Sequence, residues 1–310
     1  MTHITVITCT HNPRSDYLAE TVAALRKQTF PSERWEFLLI DNASSVEKRP
    51  RCDLSWHPHA RLICEEKLGL TPARLRGIRE AQGALLVFVD DDNVLDADFL
   101  GTAWQVAEEK PFLGSWSGQC RARFDEPPPD WTRRYWGNLV IREFETDAWS
   151  NLPRLTETMP CGAGLCVRKS VAQHYLNKHD QARRTFQFDR TGDSLVSGGD
   201  NDLAASACEA GLGVGLISNL RLTHLIPSER LTVEYLSRLA EGIQFSSLLL
   251  DVEWGLSIPE RGLVSRWTDK LRLLRAHGPH RKIQEAVQRG RLAAVKAVKS
   301  RQLSKTAAAR

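Results

Sequence analysis

The run Ala84-Leu85-Leu86-Val87-Phe88-Val89 is apolar throughout and ends directly in Asp90, Asp91 and Asp92. A strand without polar alternation is buried on both faces, and such strands belong to parallel sheets covered by helices. The run therefore asks for a layered α/β fold, and it sets three like charges at the end of a buried strand. Neighbouring carboxylates repel, more strongly as water is excluded. A solvated turn around Asp92-Asn93 is one resolution. A divalent cation is the other, because hard cations prefer carboxylate oxygens.

The flanking sequence supplies the rest of an α/β pattern. "HITVITC" is a β-branched run broken at Asn12-Pro13, with Ser15 or Asp16 as candidate helix caps and Leu18, Thr21, Val22 and Leu25 at helical spacing. "WEFLLI" is a second strand closed by "DNASS", and "ARLIC" a third. "TPARLRGIREAQG" reads as a helix with Pro72 tolerated in its first turn, and Asp98 to Glu109 as another. This alternation predicts a doubly wound, mostly parallel sheet whose ligands lie beyond the carboxyl ends of the strands. Thr10-His11-Asn12, Asp41-Asn42 and Asp90-Asp91-Asp92 all follow strands, so they converge on one crevice.

Residues 110–158 look less regular and concentrate Trp116, Trp131, Trp136 and Trp149, either core or a platform for sugar rings. "MPCGAGLCVRKSV" reads as a tight glycine turn entering a strand. "SGGDNDLAASACEAG" puts Asp200 and Asp202 at the start of a helix, where carboxylates also serve as caps. "GVGLI" is a strand, and beyond about residue 231 the chain reads as helical.

Hydrophobic content of 42% and charged content of 26% argue against a disordered chain. No apolar run approaches the ~18 residues a bilayer span needs, and no secretory signal is visible ahead of the first strand. Seven cysteines occur without a Cys-x-x-Cys, which disfavours a zinc ribbon or redox pair and fits reduced thiols in a cytoplasm. The net charge of +4 hides a segregation: residues 261–310 carry 14 Lys and Arg against Asp269 and Glu285. In that tail Ile283, Val287, Leu292, Val295 and Val298 form an apolar stripe among basic residues. A peripheral contact with an anionic membrane, on its cytoplasmic face, is the expectation, rather than a specific nucleic-acid partner.

Six motifs, taken in order, resemble the family-2 glycosyltransferases, inverting enzymes of the GT-A fold that use nucleotide sugars. "VITCTHN" is similar to the family's first strand and "PTYN" turn, with Cys9 for Pro and His11 for Tyr. "LLIDNAS" resembles the nucleobase-binding element. "GLTPARLRGIREAQGALLVFVDDD" is similar to the block ending in the acidic triplet, with Leu75 for the usual Asn. "CGAGLCVRKS" looks like the acceptor-side turn, and "GGDNDLAASACEAG" like the helix start that carries the catalytic base, with Gly199 where Glu is common. "HLIPSERLT" is similar to a C-terminal segment of bacterial members. The resemblance covers about residues 3–235. It implies a GT-A domain over 1–235, with a nucleotide half to about 110 and an acceptor half beyond, followed by a helical, basic extension over 236–310.

The resemblance also implies roles. Cys9, Thr10, His11 and Asn12 border the nucleotide, His11 stacking on the base. Asp41 accepts from uracil N3–H, Arg74 meets the phosphates, and Asp90 and Asp91 approach the ribose. Asp92, with His224 as a further ligand, binds Mn²⁺ or Mg²⁺. Gly162, Ala163 and Gly164 form the turn beside the donor sugar and acceptor. Asp200 is the base that activates an acceptor hydroxyl, with Asp202 as the competing candidate. The implied partners are a nucleotide-sugar donor, UDP-linked by preference, and a glycan or lipid-linked acceptor, as in bacterial polysaccharide assembly. A sugar-phosphate nucleotidyltransferase or a dehydrogenase would need a glycine-rich loop after the first strand, which "TCTHNPR" lacks. A catalytically degenerate binding module would have lost Asp92 or Asp200, and both are present.

Overall fold

Strand β1 (Ile4–Thr10) is hydrogen-bonded in parallel on both sides, to β2 (Trp35–Asn42) and to β4 (Leu85–Phe88), and β3 (Ala60–Glu65) extends the parallel set beyond β2. The structure, a computed structural model, describes residues 2–153, 157–181, 186, 188, 198–258, 267–268, 273 and 275–308. The two central apolar runs are buried as their lack of alternation predicts, with Phe37, Leu38, Ile40, Leu86 and Val87 fully enclosed. Strand β3 alternates in exposure, as an edge strand does.

Helices cover the sheet where the spacing predicts. Helix α1 (Ser15–Arg26) buries Leu18, Thr21, Val22 and Leu25. Its cap differs from the expected one: Arg14 holds that position and no side chain caps the helix. Asp16 is instead drawn into an ion pair with Arg14, 2.7 Å between Nη2 and Oδ2. Helix α2 (Leu70–Glu80) buries Ala73, Arg74, Gly77 and Ile78, and α3 (Phe99–Glu109) buries Phe99, Leu100, Ala103 and Val106.

The region expected to be irregular holds the sheet's second half. Strand β6 (Leu113–Phe124) runs through the core, its pattern hidden by Gly114, Ser115, Ser117, Gly118 and Gln119, residue types with little strand preference. Trp116 on β6 is fully buried, whereas Trp131 and Trp136 are half-buried and Trp149 is exposed. The segments "GVGLI" and "LRLTHLI" prove to be one strand, β9 (Gly213–Ile226), with a register shift opposite Gly118/Gln119. The short β5 (Asn93–Leu95), β7 (Ala148–Ser150) and β8 (Leu165–Arg168) complete a mixed, mostly parallel sheet of order β3-β2-β1-β4-β8-β6-β9-β5, with β7 beside β9. Helices α4 (Lys169–Asp180) and α5 (Gly199–Glu209) pack on this half.

The chain divides into two compact units. The first comprises Met1–Pro127, Leu139–Arg184 and Gly199–Ile226 and contains the sheet. The second comprises Pro128–Asn138, Thr185–Gly198 and Pro227–Arg310, and so takes in a stretch that the sequence places within the acceptor half. It is built on α6 (Val233–Glu253), capped by Thr232 whose hydroxyl accepts from Tyr235 N–H at 3.2 Å, and on α7 (Gly278–Ala308). Among the described residues no helix is long and apolar enough to cross a membrane.

The basic tail is helical as expected, but its apolar stripe differs. Ile283, Ala286, Gly290, Ala294 and Val298 are buried, while Leu292 is 70% exposed and Val287 and Val295 are half-buried. Gly290 is the reason. It lies against the Glu241 backbone of α6, and a Cβ there would fall on the Glu241 carbonyl oxygen. The helix turns so that its smallest residues meet α6, with Ala294 and Val298 joining Leu248, Leu249 and Leu250 in one apolar cluster. Gly290→Val should therefore lower stability by about 1–3 kcal/mol through overpacking, while Leu292→Ser stays within ~0.5 kcal/mol of wild type. Chemical denaturation of the two variants checks this.

Candidate active site

The strand ends bring the sequence-singled residues together in the first unit. Thr10 pairs with Asp41 in the β1–β2 register, and the Thr10 hydroxyl donates a short hydrogen bond to Asp91 Oδ2. His11 is exposed and oriented: its Nδ1–H donates to the Asn42 carbonyl at 2.7 Å, so Nε2 is the acceptor and receives Asn12 Nδ2–H at 2.9 Å. Asn12 adopts φ 51°, the left-handed region that Asn tolerates, and its Oδ1 accepts from Ser45 N–H at 2.9 Å. The adjoining loop is held by Asn42, whose Nδ2 donates to Lys67 O at 2.8 Å and whose Oδ1 accepts from Gly69 N–H at 2.8 Å.

Asp41 is buried. Its Oδ1 accepts from Ser44 N–H at 3.3 Å, and its Oδ2 stands 4.0 Å from Arg49 Nε. The sequence gives no hint of Arg49 as its neighbour, because the loop between them has no regular period. Cys9 lies beneath, its thiol pushed up to about 12 by burial, with Asp90 and Asp91 adding to the effect and Arg74 opposing it. A thiol held so firmly protonated is a packing group and not a nucleophile.

Arg74, from the first turns of α2, is buried. Burial alone disfavours its charge, but Asp200 and Asp90 face it and hold the guanidinium charged. Asp90 is held above the usual carboxylate range by desolvation, with Asp92 and Asp200 adding and Arg74 opposing. Arg74 thus links two carboxylates from distant parts of the chain, a role its position in the sequence does not reveal.

The glycine turn completes this contact. Gly162 N–H donates to Asp200 Oδ2 at 2.7 Å, and a Cβ on Gly162 would stand 2.9 Å from that oxygen and 3.0 Å from Arg74 Nη2. Ala163 is buried beside it. Gly164 has φ +65°, and a side chain there would meet Leu222 and Phe99. Asn201 Nδ2 donates to Pro160 O at 3.1 Å, tying the start of α5 to the same turn. Asp200 is half-buried, whereas Asp202, in the same helical turn, is 1% exposed. Of the two, Asp200 is the carboxylate that solvent reaches.

Asp92 and His224 face each other across the β5–β9 pairing, which aligns Asn93 with His224. His224 Nδ1 lies 3.0 Å from the Leu139 carbonyl, which can only accept, so Nδ1 carries the proton. The other ring nitrogen, Nε2, lies 3.3 Å from Asp92 Oδ2. Imidazole nitrogen with carboxylate oxygen is a donor set that Mn²⁺ accepts. Among the described residues no three His, Cys, Asp or Glu side chains form a metal-holding group, so protein donors alone do not fill a coordination sphere.

A sequence-distant neighbour also borders the turn. Arg142 Nη2 donates to Ser117 Oγ at 2.6 Å and to Cys161 Sγ at 3.1 Å, and Nη1 donates to Met159 O at 3.0 Å. These bonds hold the residues leading into Gly162. Nothing in the pattern around Arg142 announces this.

Acids, a buried arginine and a glycine turn are thus gathered at the strand ends of a mostly parallel sheet, the edge at which such sheets bind ligands. Residues 5–176 match the family described as Glycosyl transferase family 2, more than half of the chain. The chain belongs to that family. It is similar to TuaG of Bacillus subtilis (strain 168), a glycosyltransferase named for teichuronic acid biosynthesis, at 27% identity over 41% of this chain and 50% of that protein. It is also similar to the glycosyltransferase GlyG of Streptococcus pneumoniae serotype 4 (strain ATCC BAA-334 / TIGR4), at 31% identity over 30% of this chain and 32% of the other. The matched part is thus half or less of those relatives' length.

Among solved structures the fold is similar to a mannosyltransferase from Pyrobaculum calidifontis, PcManGT, in complex with GDP-Man and Mn²⁺. The TM-score is 0.53 at 19% identity, over 99% of this chain and 75% of that one. It is likewise similar to residues 1–349 of TarS from S. aureus, with TM-score 0.50 at 16% identity, over 96% and 92%. The GT-A-like sheet with a helical C-terminal region is as the sequence predicts.

The buried Arg74 generates a prediction. Arg74→Met should cost about 1–3 kcal/mol of stability, because it removes the cation whose charge offsets Asp90 and Asp200. Urea denaturation near neutral pH measures it, and a loss below ~1 kcal/mol would contradict the linking role.

Proposed function

We propose that the protein is an inverting glycosyltransferase that moves a sugar from a nucleotide-diphosphate donor, a UDP-sugar by preference, to a hydroxyl of a glycan or lipid-linked acceptor in a single displacement. The observation that carries this reading is the state of Asp200: half-buried, oriented by the Gly162 N–H and set beside a charged Arg74. Asp200 accepts the proton of the acceptor hydroxyl as that oxygen attacks the anomeric carbon from the face opposite the leaving group. Gly162 fixes one carboxylate oxygen, leaving the other for the acceptor.

On the donor side, Asp41 reads the base through a ring N–H, with His11 alongside and Arg49 near enough to meet a neighbouring base carbonyl. Arg74 is placed for the phosphates, and Asp90 and Asp91 border the ribose. Asp92 and His224 would hold Mn²⁺ or Mg²⁺, which when bound supplies charge neutralisation for the departing nucleoside diphosphate. An imidazole nitrogen 3.3 Å from a buried carboxylate oxygen supports that assignment. The preference for uracil rests on Asp41 alone, and the GDP-Man in the archaeal neighbour makes guanine the alternative to test.

A panel of UDP- and GDP-sugars, assayed in Mn²⁺ with glycan acceptors, tests the reading, and the anomeric configuration of the product by NMR tests inversion. Retention of configuration would overturn the single displacement. Asp200→Asn should lower turnover by ~10²-fold or more with donor affinity nearly unchanged, while Asp202→Asn affects folding more than chemistry. Asp92→Ala should abolish transfer, and undiminished wild-type activity in excess chelator would remove the metal from the scheme.

A further inference from the structure

Among the described side chains of α7, the apolar ones other than Leu292 are buried or half-buried, apart from the small Ala293. What the helix presents outward is a basic row. Lys282, Arg289 and Lys296 are spaced by seven residues, two helical turns, and all are exposed. A second row, one step round the helix, runs Glu285, Leu292 and Lys299, with Arg281 ion-paired to Glu285 at 3.0 Å. Arg289 also reaches Glu241 of α6 at 2.8 Å, which fixes its position on this face. Leu292, 70% exposed, stands in the middle of the two rows.

We infer that the outer face of α7 is a preformed docking surface for an anionic lipid bilayer, held by charge and by shallow insertion of Leu292. The face from Lys282 to Lys299 is straight over ~25 Å, which suits a flat surface. Its centre is a lone aliphatic side chain, which an interface region accepts. It has no aromatic residue to stack on a base, and beside Leu292 only the half-buried Gln288 could read one, so a nucleic acid would find little but charge here. The mode differs from that of an amphipathic helix lying in the interface by its apolar side: this helix is folded before it docks, and its apolar side belongs to the protein. Attraction through a handful of basic side chains is therefore strongly screened by salt. The inference is independent of the chemistry assigned to the crevice.

The test is co-sedimentation of the full chain with phosphatidylcholine vesicles, with and without phosphatidylglycerol, at low and high salt. Binding is expected only with phosphatidylglycerol and is lost at high salt. The double variant Lys296→Glu/Lys299→Glu should weaken partitioning by about tenfold or more, Lys296→Arg/Lys299→Arg should keep it, and Leu292→Ser should weaken it by several-fold. Both lysines are exposed, so circular dichroism and thermal melting of the variants should match wild type. Equal sedimentation with neutral vesicles, no response to the charge reversal, or tighter binding to a DNA duplex than to anionic vesicles would each overturn the inference.

Discussion

Much of the site depends on one buried cation. Arg74 lies close to the backbone of Gly162 and within the field of Asp90, at the end of β4, and of Asp200, at the start of α5. Each carboxylate alone in that crevice would be costly to keep ionised, and together they would repel. The charge of the guanidinium acts on both, so the end of the parallel half of the sheet and the glycine turn of the mixed half are electrostatically coupled. The requirement for glycine at 162 follows, since a side chain would stand between Asp200 and Arg74.

The acidic triplet that opens the question of this fold is resolved one residue at a time. Asp91 is bonded by the Thr10 hydroxyl, Asp90 shares Arg74, and Asp92 faces His224 across a strand pair. A single cation need not neutralise all three. The repulsion is divided among a hydroxyl, a guanidinium and an imidazole, each delivered by a different element. The third of these pairs joins an imidazole to a carboxylate beside the β5–β9 strand pairing.

The parallel half was legible in the residues because its strands are apolar on both faces and its helices keep a clean period. Leu18, Val22 and Leu25, or Ile78 with Ala73, point to one face whatever they pack against. The second half was not legible for the opposite reason. Strand β6 is made of glycine, serine and glutamine whose burial comes from neighbours far along the chain: Ser115 Oγ donates to Ala204 O, and Gln119 Nε2 donates to Ser218 O. A hydroxyl satisfied in this way packs as well as a methyl group, but the sequence does not show the partner. The site divides likewise. Residues directly after strands could be gathered by rule, whereas Arg49, Arg142 and the Arg74–Asp200 contact arise from loops and long-range packing that no local pattern encodes.

The same distinction explains the tail. Read as an isolated helix, its apolar residues look free for any partner, and the stripe drawn through Leu292 looks as good as the one drawn through Gly290. What decides between them is the distance at which two helix backbones can approach, and that distance is set by the smallest residue on the face, not by the most apolar one. Gly290 lets α7 settle on Glu241, Ala286 and Ala294 follow at one turn on either side, and Leu292 is carried round to the outside. A leucine left there with lysines about it is the consequence of close packing elsewhere. Its exposure, set within a basic surface, is what gives the outer face a chemistry of its own.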